Sequence, residues 1–185
     1  MVTRDSREEV IPIDGNIVLP RWKASQSGRI LPLVCATLPI LRKGKIVELL
    51  RHKDKKVLGG EWVPFLSEHV KPRDNSDLNA IRRGAKEELG YFPLISAVYN
   101  PKDSMNIAYI SEENNILYWR ASLFVIPIRS IKQLTPDLTE IVDIRERNID
   151  ELFREIKKKD SIYSRFWPRE FLVKLEQYTR EIERD

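Results

Sequence analysis

Ala80-Ile81-Arg82-Arg83-Gly84-Ala85-Lys86-Glu87-Glu88-Leu89-Gly90-Tyr91 is the stretch on which the reading of the fold turns. Leu78, Ile81, Ala85 and Leu89 recur at three- and four-residue spacing, which predicts a helix with one apolar face. Asn75, Ser76 or Asp77 suits the N-cap, and Gly90 suits the C-terminal stop. On such a helix position 83 stacks on 87, and 84 on 88. Glu87 and Glu88 then present two carboxylates near the helix end, with Arg83 beside them. Paired carboxylates repel, and a divalent cation relieves the repulsion; hard oxygen ligands suit Mg²⁺. The plainer reading is a solvated acidic turn in which Arg83 and Glu87 form an exposed pair contributing about 0.3–0.5 kcal/mol. On these residues alone the plainer reading prevails, because adjacent glutamates are common on helices.

Working outward, residues 31–41 and 46–51 are rich in Val, Ile and Leu, and the turn 42–45 contains Gly44, which predicts a buried hairpin. Further upstream, 9–13 and 17–19 flank Asp14-Gly15-Asn16, a hairpin signal. The stretch 58–73 reads as irregular, since Pro64 and Pro72 argue against a central strand. Downstream, 106–128 predicts a second hairpin turning at 111–115, and 140–144 a short strand. Asp150 is expected to cap a helix carrying Leu152, Phe153 and Ile156. A last helix is expected to begin near Pro168, with a stripe of Phe171, Leu172, Leu175, Tyr178 and Ile182. Hairpins, helix, hairpin, strand and helices in this order predict a mixed sheet with helices packed on it, an α/β or α+β class.

The totals agree with one globular domain over 1–185, with an N-terminal hairpin segment 1–28 and C-terminal helices 149–185. Apolar residues make up 42% and charged residues 32%, which excludes a disordered chain. The only cysteine, Cys35, excludes an internal disulfide and a cysteine zinc cage. A net charge of +4 suits an anionic small molecule and argues little for nucleic acid. The longest apolar run, 30–41, is broken by prolines and too short to span a membrane. No apolar signal-peptide core follows the start, so the expected location is the cytoplasm.

The wider pattern changes the weighting on the helix. Arg83-Gly84-Ala85-Lys86-Glu87-Glu88-Leu89-Gly90-Tyr91 resembles the end of the Nudix signature: a glycine, five residues, a glutamate, seven residues, then R-E-U-x-E-E-x-G-U, with U apolar. The strand ending in Leu50-Arg51 and the lead-in Gly60-Glu61-Trp62 resemble the family's approach to that signature. Trp62, with Ser67-Glu68-His69-Val70-Lys71-Pro72 behind it, and the opening Glu9-Val10-Ile11-Pro12 resemble the branch containing isopentenyl-diphosphate isomerases and hydrolase-like relatives. The resemblance implies a Nudix-type α/β/α sandwich. It also implies a Mg²⁺-dependent hydrolase, with Mn²⁺ the alternative metal, that cleaves the diphosphate of a nucleoside diphosphate derivative. Glu87 and Glu88 would hold metal, Arg83 would orient the carboxylates, and Glu140 would be a further ligand or the base. Arg51, in a basic cluster with His52, Lys53, Lys55 and Lys56, would bind substrate with His69 and Trp62. A homodimer is left open.

Three departures from the signature stand against turnover. Gly84 replaces the glutamate that follows the signature arginine, and a mid-helix glycine costs about 1 kcal/mol against alanine. Asn75 holds the upstream glutamate position, with Asp74 one residue away. Phe65-Leu66 or Glu68-His69 stands where the family has loop glycines. The alternative is therefore a Nudix-fold protein that binds a nucleotide or protein partner without turnover. If only the missing glutamate matters, Gly84→Glu should raise activity. Isomerase chemistry needs a loop cysteine, and 63–70 has none.

Overall fold

Leu31, Leu33 and Cys35 alternate with Val34 and Ala36 along one run, and all five are buried. A strand whose two side-chain faces are both apolar must lie inside, covered on both sides. The computed structural model describes residues 9–10, 19–20, 30–55, 57–100, 104–110, 116–158, 161 and 169–184. In it β1 (Glu9–Val10) pairs antiparallel with β2 (Leu19–Pro20); the Asp14-Gly15-Asn16 turn lies outside the described residues. β3 (Ile30–Thr37) is followed by β4 (Pro39–Ile40), β5 (Lys45–Arg51), β6 (Trp62–Val63) and β7 (Phe65–His69). Helix α1 (Asp77–Leu89) comes next, then β8 (Ser104–Ile110), β9 (Ile116–Val125) and β10 (Ile141–Asn148). Helices α2 (Ile149–Ile156) and α3 (Arg169–Arg184) close the order.

Among the described residues, one mixed sheet runs β7-β3-β9-β8, with β3 antiparallel to β7 and parallel to β9. A second runs β10-β5-β4, with β6 on β5. On one side Leu31, Leu33 and Cys35 pack with Leu152, Phe153, Phe171 and Leu175 of α2 and α3. On the other, Val34, Ala36 and Leu66 pack with Ala80, Ile81, Ala85 and Leu89 of α1. The α/β/α sandwich expected from the order of elements is present.

The structure differs from the sequence reading in three places. The run 31–41 is not one hairpin arm: only Pro39 and Ile40 pair with β5, while β3 belongs to the other sheet. Leu38, fully buried, sits at the break, and its carbonyl accepts the Val47 N–H at 3.0 Å. The stretch 58–73 contains an edge strand, β7, and Pro64 falls between β6 and β7, where it removes no ladder bond. Asn148, not Asp150, caps α2, its side chain accepting the N–H groups of Asp150 and Glu151 at 2.8 and 3.2 Å. Helix α1 is as expected: Ser76 caps it, accepting the Asn79 N–H at 3.1 Å, and Gly90 ends it at φ 59°. The 111–115 turn and Pro168 lie outside the described residues.

Candidate functional site

Arg83 is the hub of the region around α1. Its side chain is only 11% exposed and every nitrogen is used. Nε and Nη2 donate to the two oxygens of Asp74 at 2.8 and 2.9 Å, the bidentate geometry favoured by a planar guanidinium. Nη2 also donates to the His69 carbonyl at 2.9 Å, and Nη1 pairs with Glu68 at 2.9 Å and Glu87 at 3.2 Å. Asp74, one residue before the upstream signature position, is thus the carboxylate that meets Arg83. Asn75, the residue in register, turns the chain at φ 59°, a conformation asparagine tolerates. Burial pushes the Asp74 carboxyl up, but hydrogen bonds from Arg83 and the Lys71 N–H, with their charges, outweigh it and hold it below its ordinary value. Burial acts against the Arg83 cation too, and Asp74, Glu68 and Glu87 reverse that and raise it.

Gly84 faces β7, and Glu68 leans over it. A Cβ at Gly84 would lie 3.1 Å from the Glu68 Cβ and 3.2 Å from its Cγ. The space a glutamate side chain would enter from position 84 is held by a glutamate from the neighbouring strand. One Glu68 oxygen takes the His69 N–H at 2.8 Å and the other takes Arg83. Restoring Gly84→Glu alone, expected from the sequence to repair the site, would drive a side chain into Glu68. The local signal for this was the glycine itself, which costs helix stability and is favoured where a neighbour comes close. Which neighbour does so is not written in the local sequence.

Glu88 is buried on the sheet side of α1. Burial pushes its carboxyl up first, Glu68 and Glu140 push it further, Arg51 and Lys55 draw it back, and the outcome is about 8. Glu140 reaches this place because its segment hangs from the end of α1: the Thr135 N–H donates to the Leu89 carbonyl at 2.8 Å and the Asp137 N–H to the Glu88 carbonyl at 2.9 Å. Gly90 permits that approach, since a Cβ there would collide with Thr135. Glu140 forms an ion pair with Lys55, and its carbonyl accepts the His52 N–H at 2.8 Å. Arg51 donates from Nε to the Val57 carbonyl at 3.1 Å.

The remaining sequence-predicted residues divide by location. Glu87 is not beside Glu88 in chemistry: it is nearly half exposed and pairs with Arg73 and Arg83, both at 3.2 Å, with Lys71 at 3.8 Å. Adjacent helical residues point about 100° apart, so the two carboxylates face different surroundings. His69 is buried on the edge strand, edge-on to Trp119 at 6.5 Å between ring centroids. Trp62 lies under the Arg145 guanidinium at 4.0 Å. An open groove of about 550 Å³ is lined by Arg73, Asn79, Arg82, Arg83, Lys86, Glu87 and Phe92. Arg82 sits 4.3 Å and Lys86 5.7 Å from the Phe92 ring centre, and Phe92 is 56% exposed. Sequence reasoning passed over this groove and over Glu68.

The carboxylates are hard donors of the kind Mg²⁺ takes. Among the described residues, however, no group of three or more His, Cys, Asp or Glu side chains is placed to hold a metal ion. Glu68 is committed to Arg83, Glu87 to Arg73 and Arg83, and Glu140 to Lys55. As they stand, these residues do not fit a divalent cation.

No family model matches the sequence, and no curated protein matches it significantly. Among solved structures, the chain is similar to the NUDIX domain of Shewanella oneidensis NrtR complexed with ADP ribose: 11% identity, 82% of this chain, 87% of that one, TM-score 0.57. It is similar also to the E. coli dihydroneopterin triphosphate pyrophosphohydrolase: 11% identity, 81% and 95% covered, TM-score 0.59. DR0079 from Deinococcus radiodurans matches at 16% identity, with 96% and 98% covered and TM-score 0.59. The likeness is to Nudix-type folds in general rather than to the isomerase branch, and at these identities it speaks for the fold alone.

Proposed function

We propose that this chain recognises a nucleoside diphosphate derivative through its Nudix-type fold without metal-dependent turnover. The observation that carries the reading is Gly84 under Glu68. The position where the signature has a glutamate offers no side chain, and the carboxylate above it is bound to Arg83. The groove lined in part by Glu87 supplies the complementary chemistry. Arg82 and Lys86 suit a diphosphate and the exposed Phe92 offers surface to a base, while Arg73 is shared with Glu87 of the same groove. The NUDIX domain of NrtR, similar in fold, was solved with ADP ribose, a ligand of this class.

The competing reading is hydrolysis with Mg²⁺ or Mn²⁺ held by Glu87, Glu88 and Glu140, Arg83 orienting them, and Arg51, His69 and Trp62 on the substrate. The proximity of Glu68 and Glu140 to Glu88 favours it, since crowded carboxylates are what a cation relieves. Calorimetric titration with ADP-ribose and ADP, beside a product assay with Mg²⁺ and with Mn²⁺, separates the two. Saturable binding that weakens about tenfold in Arg82→Ala plus Lys86→Ala, with no metal-dependent product, supports recognition. Product formation abolished by Glu88→Gln would establish the hydrolase, and absence of binding would end the nucleotide reading.

A further inference from the structure

Lys55 has a side chain only 15% exposed, an unusual place for a lysine, and it forms an ion pair with Glu140. The loop after β5 is shaped to put it there. The Lys55 N–H donates to the His52 carbonyl at 3.0 Å, and the Gly60 N–H to the Arg51 carbonyl at 3.1 Å. The loop folds so closely on itself that a Cβ at Gly59 would strike the carbonyl oxygens of Lys53 and Lys55. Glycine at 59 is thus required for the turn that delivers the lysine. The loop is also tied to the acidic segment through the His52 N–H and the Glu140 carbonyl. Lys55 and Arg51 both act on Glu88 from this position, while Arg83 holds Glu68 from the other side.

We infer that Lys55 is a built-in counter-ion that balances Glu140, at the edge of the acidic group it forms with Glu88, in place of a divalent cation. A fixed ammonium brings one charge and three donors and needs no open coordination position. An acidic group balanced in this way is independent of cellular metal and closed to it. The inference deepens the reading of recognition without turnover. It is tested with no nucleotide present, so its failure leaves nucleotide binding standing, and a chain that binds no nucleotide leaves the lysine's role standing.

The experiment is Mn²⁺ titration by calorimetry, with thermal denaturation in EDTA and in MnCl₂, on the wild type, Lys55→Met and Lys55→Met/Glu140→Gln. The wild type should give no binding heat and the same Tm in both media. Lys55→Met should melt lower in EDTA and regain about 2–4 °C in Mn²⁺, a response lost in the double variant. If Lys55→Met does not fold in EDTA, folding that returns with Mn²⁺ supports the inference, and a chain unfolded in both overturns it. Mn²⁺ binding by the wild type that disappears in Glu140→Gln also overturns it, as does a folded Lys55→Met indifferent to Mn²⁺.

Discussion

Glu48 on β5 and Glu88 on α1 are both buried glutamates, and the fold treats them in opposite ways. Glu48, with no exposed surface, receives Arg145 Nε at 2.7 Å and Arg147 Nη1 at 2.9 Å. Arg145 stands directly opposite it in the β5–β10 register, and Arg147 passes on to Glu155 of α2. Glu88 has charges near it but no guanidinium paired with it among the described residues, and its carboxyl rises to about 8. Burial is common to both; what differs is whether the sheet register brings a cation into hydrogen-bonding contact. The Glu48 network fixes architecture by tying β5, β10 and α2 together, whereas Glu88 is left able to change charge.

The largest effect should come from breaking the satisfied side of this comparison. Arg147→Met strips Glu48 of one partner and Glu155 of another. Removing one member of a buried pair costs about 3–5 kcal/mol, and the remaining Arg145 places this case near the lower figure. Urea denaturation measures it, and adding Glu48→Gln should recover much of the loss. A cost under about 1 kcal/mol would mean that Arg145 alone suffices and that the contrast with Glu88 is one of degree. Arg83→Met should follow at about 3 kcal/mol, because Asp74, which is buried, and Glu68 lose their partner while Asp74 keeps the Lys71 N–H. Arg83→Lys should recover less than half, since an ammonium cannot reproduce the bidentate contact with Asp74.

Glu88 yields a pH effect of determined sign. Its carboxyl is raised in the fold from an ordinary value of 4.5 to about 8. Between those values the folded chain holds a proton that the unfolded chain does not. The stabilising proton is therefore fully present below about pH 4.5, and its contribution is lost as pH rises through 8. Glu88→Gln, which keeps the shape and removes the charge, should match the wild type near pH 5 and be more stable near pH 9 by roughly 1–3 kcal/mol. Tm measured against pH for both chains checks this. A wild-type curve flat from pH 5 to 9 would mean that Glu88 is as well paired as Glu48.

Local patterns carried much of this fold and little of the site. The caps of α1, its apolar stripe and the stripe of α3 depend on neighbours three or four residues apart, and they stand where periodicity places them. The split of 31–41 between two sheets was not legible, because apolar alternation reports burial and not which strand is the partner. Edge strand β7 was hidden by Pro64, whose effect ends one residue short of it. In the site, Arg83 and Glu87 were legible as a helical pair. The partners that decide its chemistry come from elsewhere: Glu68 from β7, Lys55 from the loop after β5, and Glu140 from the segment tied to Leu89.

The smallest predicted effect bears most directly on that non-local part. Gly84→Ala should gain about 1 kcal/mol of helix propensity. It should also force a methyl to within 3.1 Å of the Glu68 Cβ, which is fixed to a strand backbone and cannot swing away. Overpacking of this kind costs about 1–3 kcal/mol, so the net change should lie between nothing and a loss of about 2 kcal/mol. In a Glu68→Ala background the Cγ contact at 3.2 Å goes while the Cβ contact stays, so the same substitution should come out closer to neutral. A double-mutant cycle by urea denaturation reads that difference. Equal stabilisation in both backgrounds would mean that Glu68 does not lie over Gly84. Position 84 would then be open to a carboxylate again, and Glu88 would have lost one of the neighbours that set it apart from Glu48.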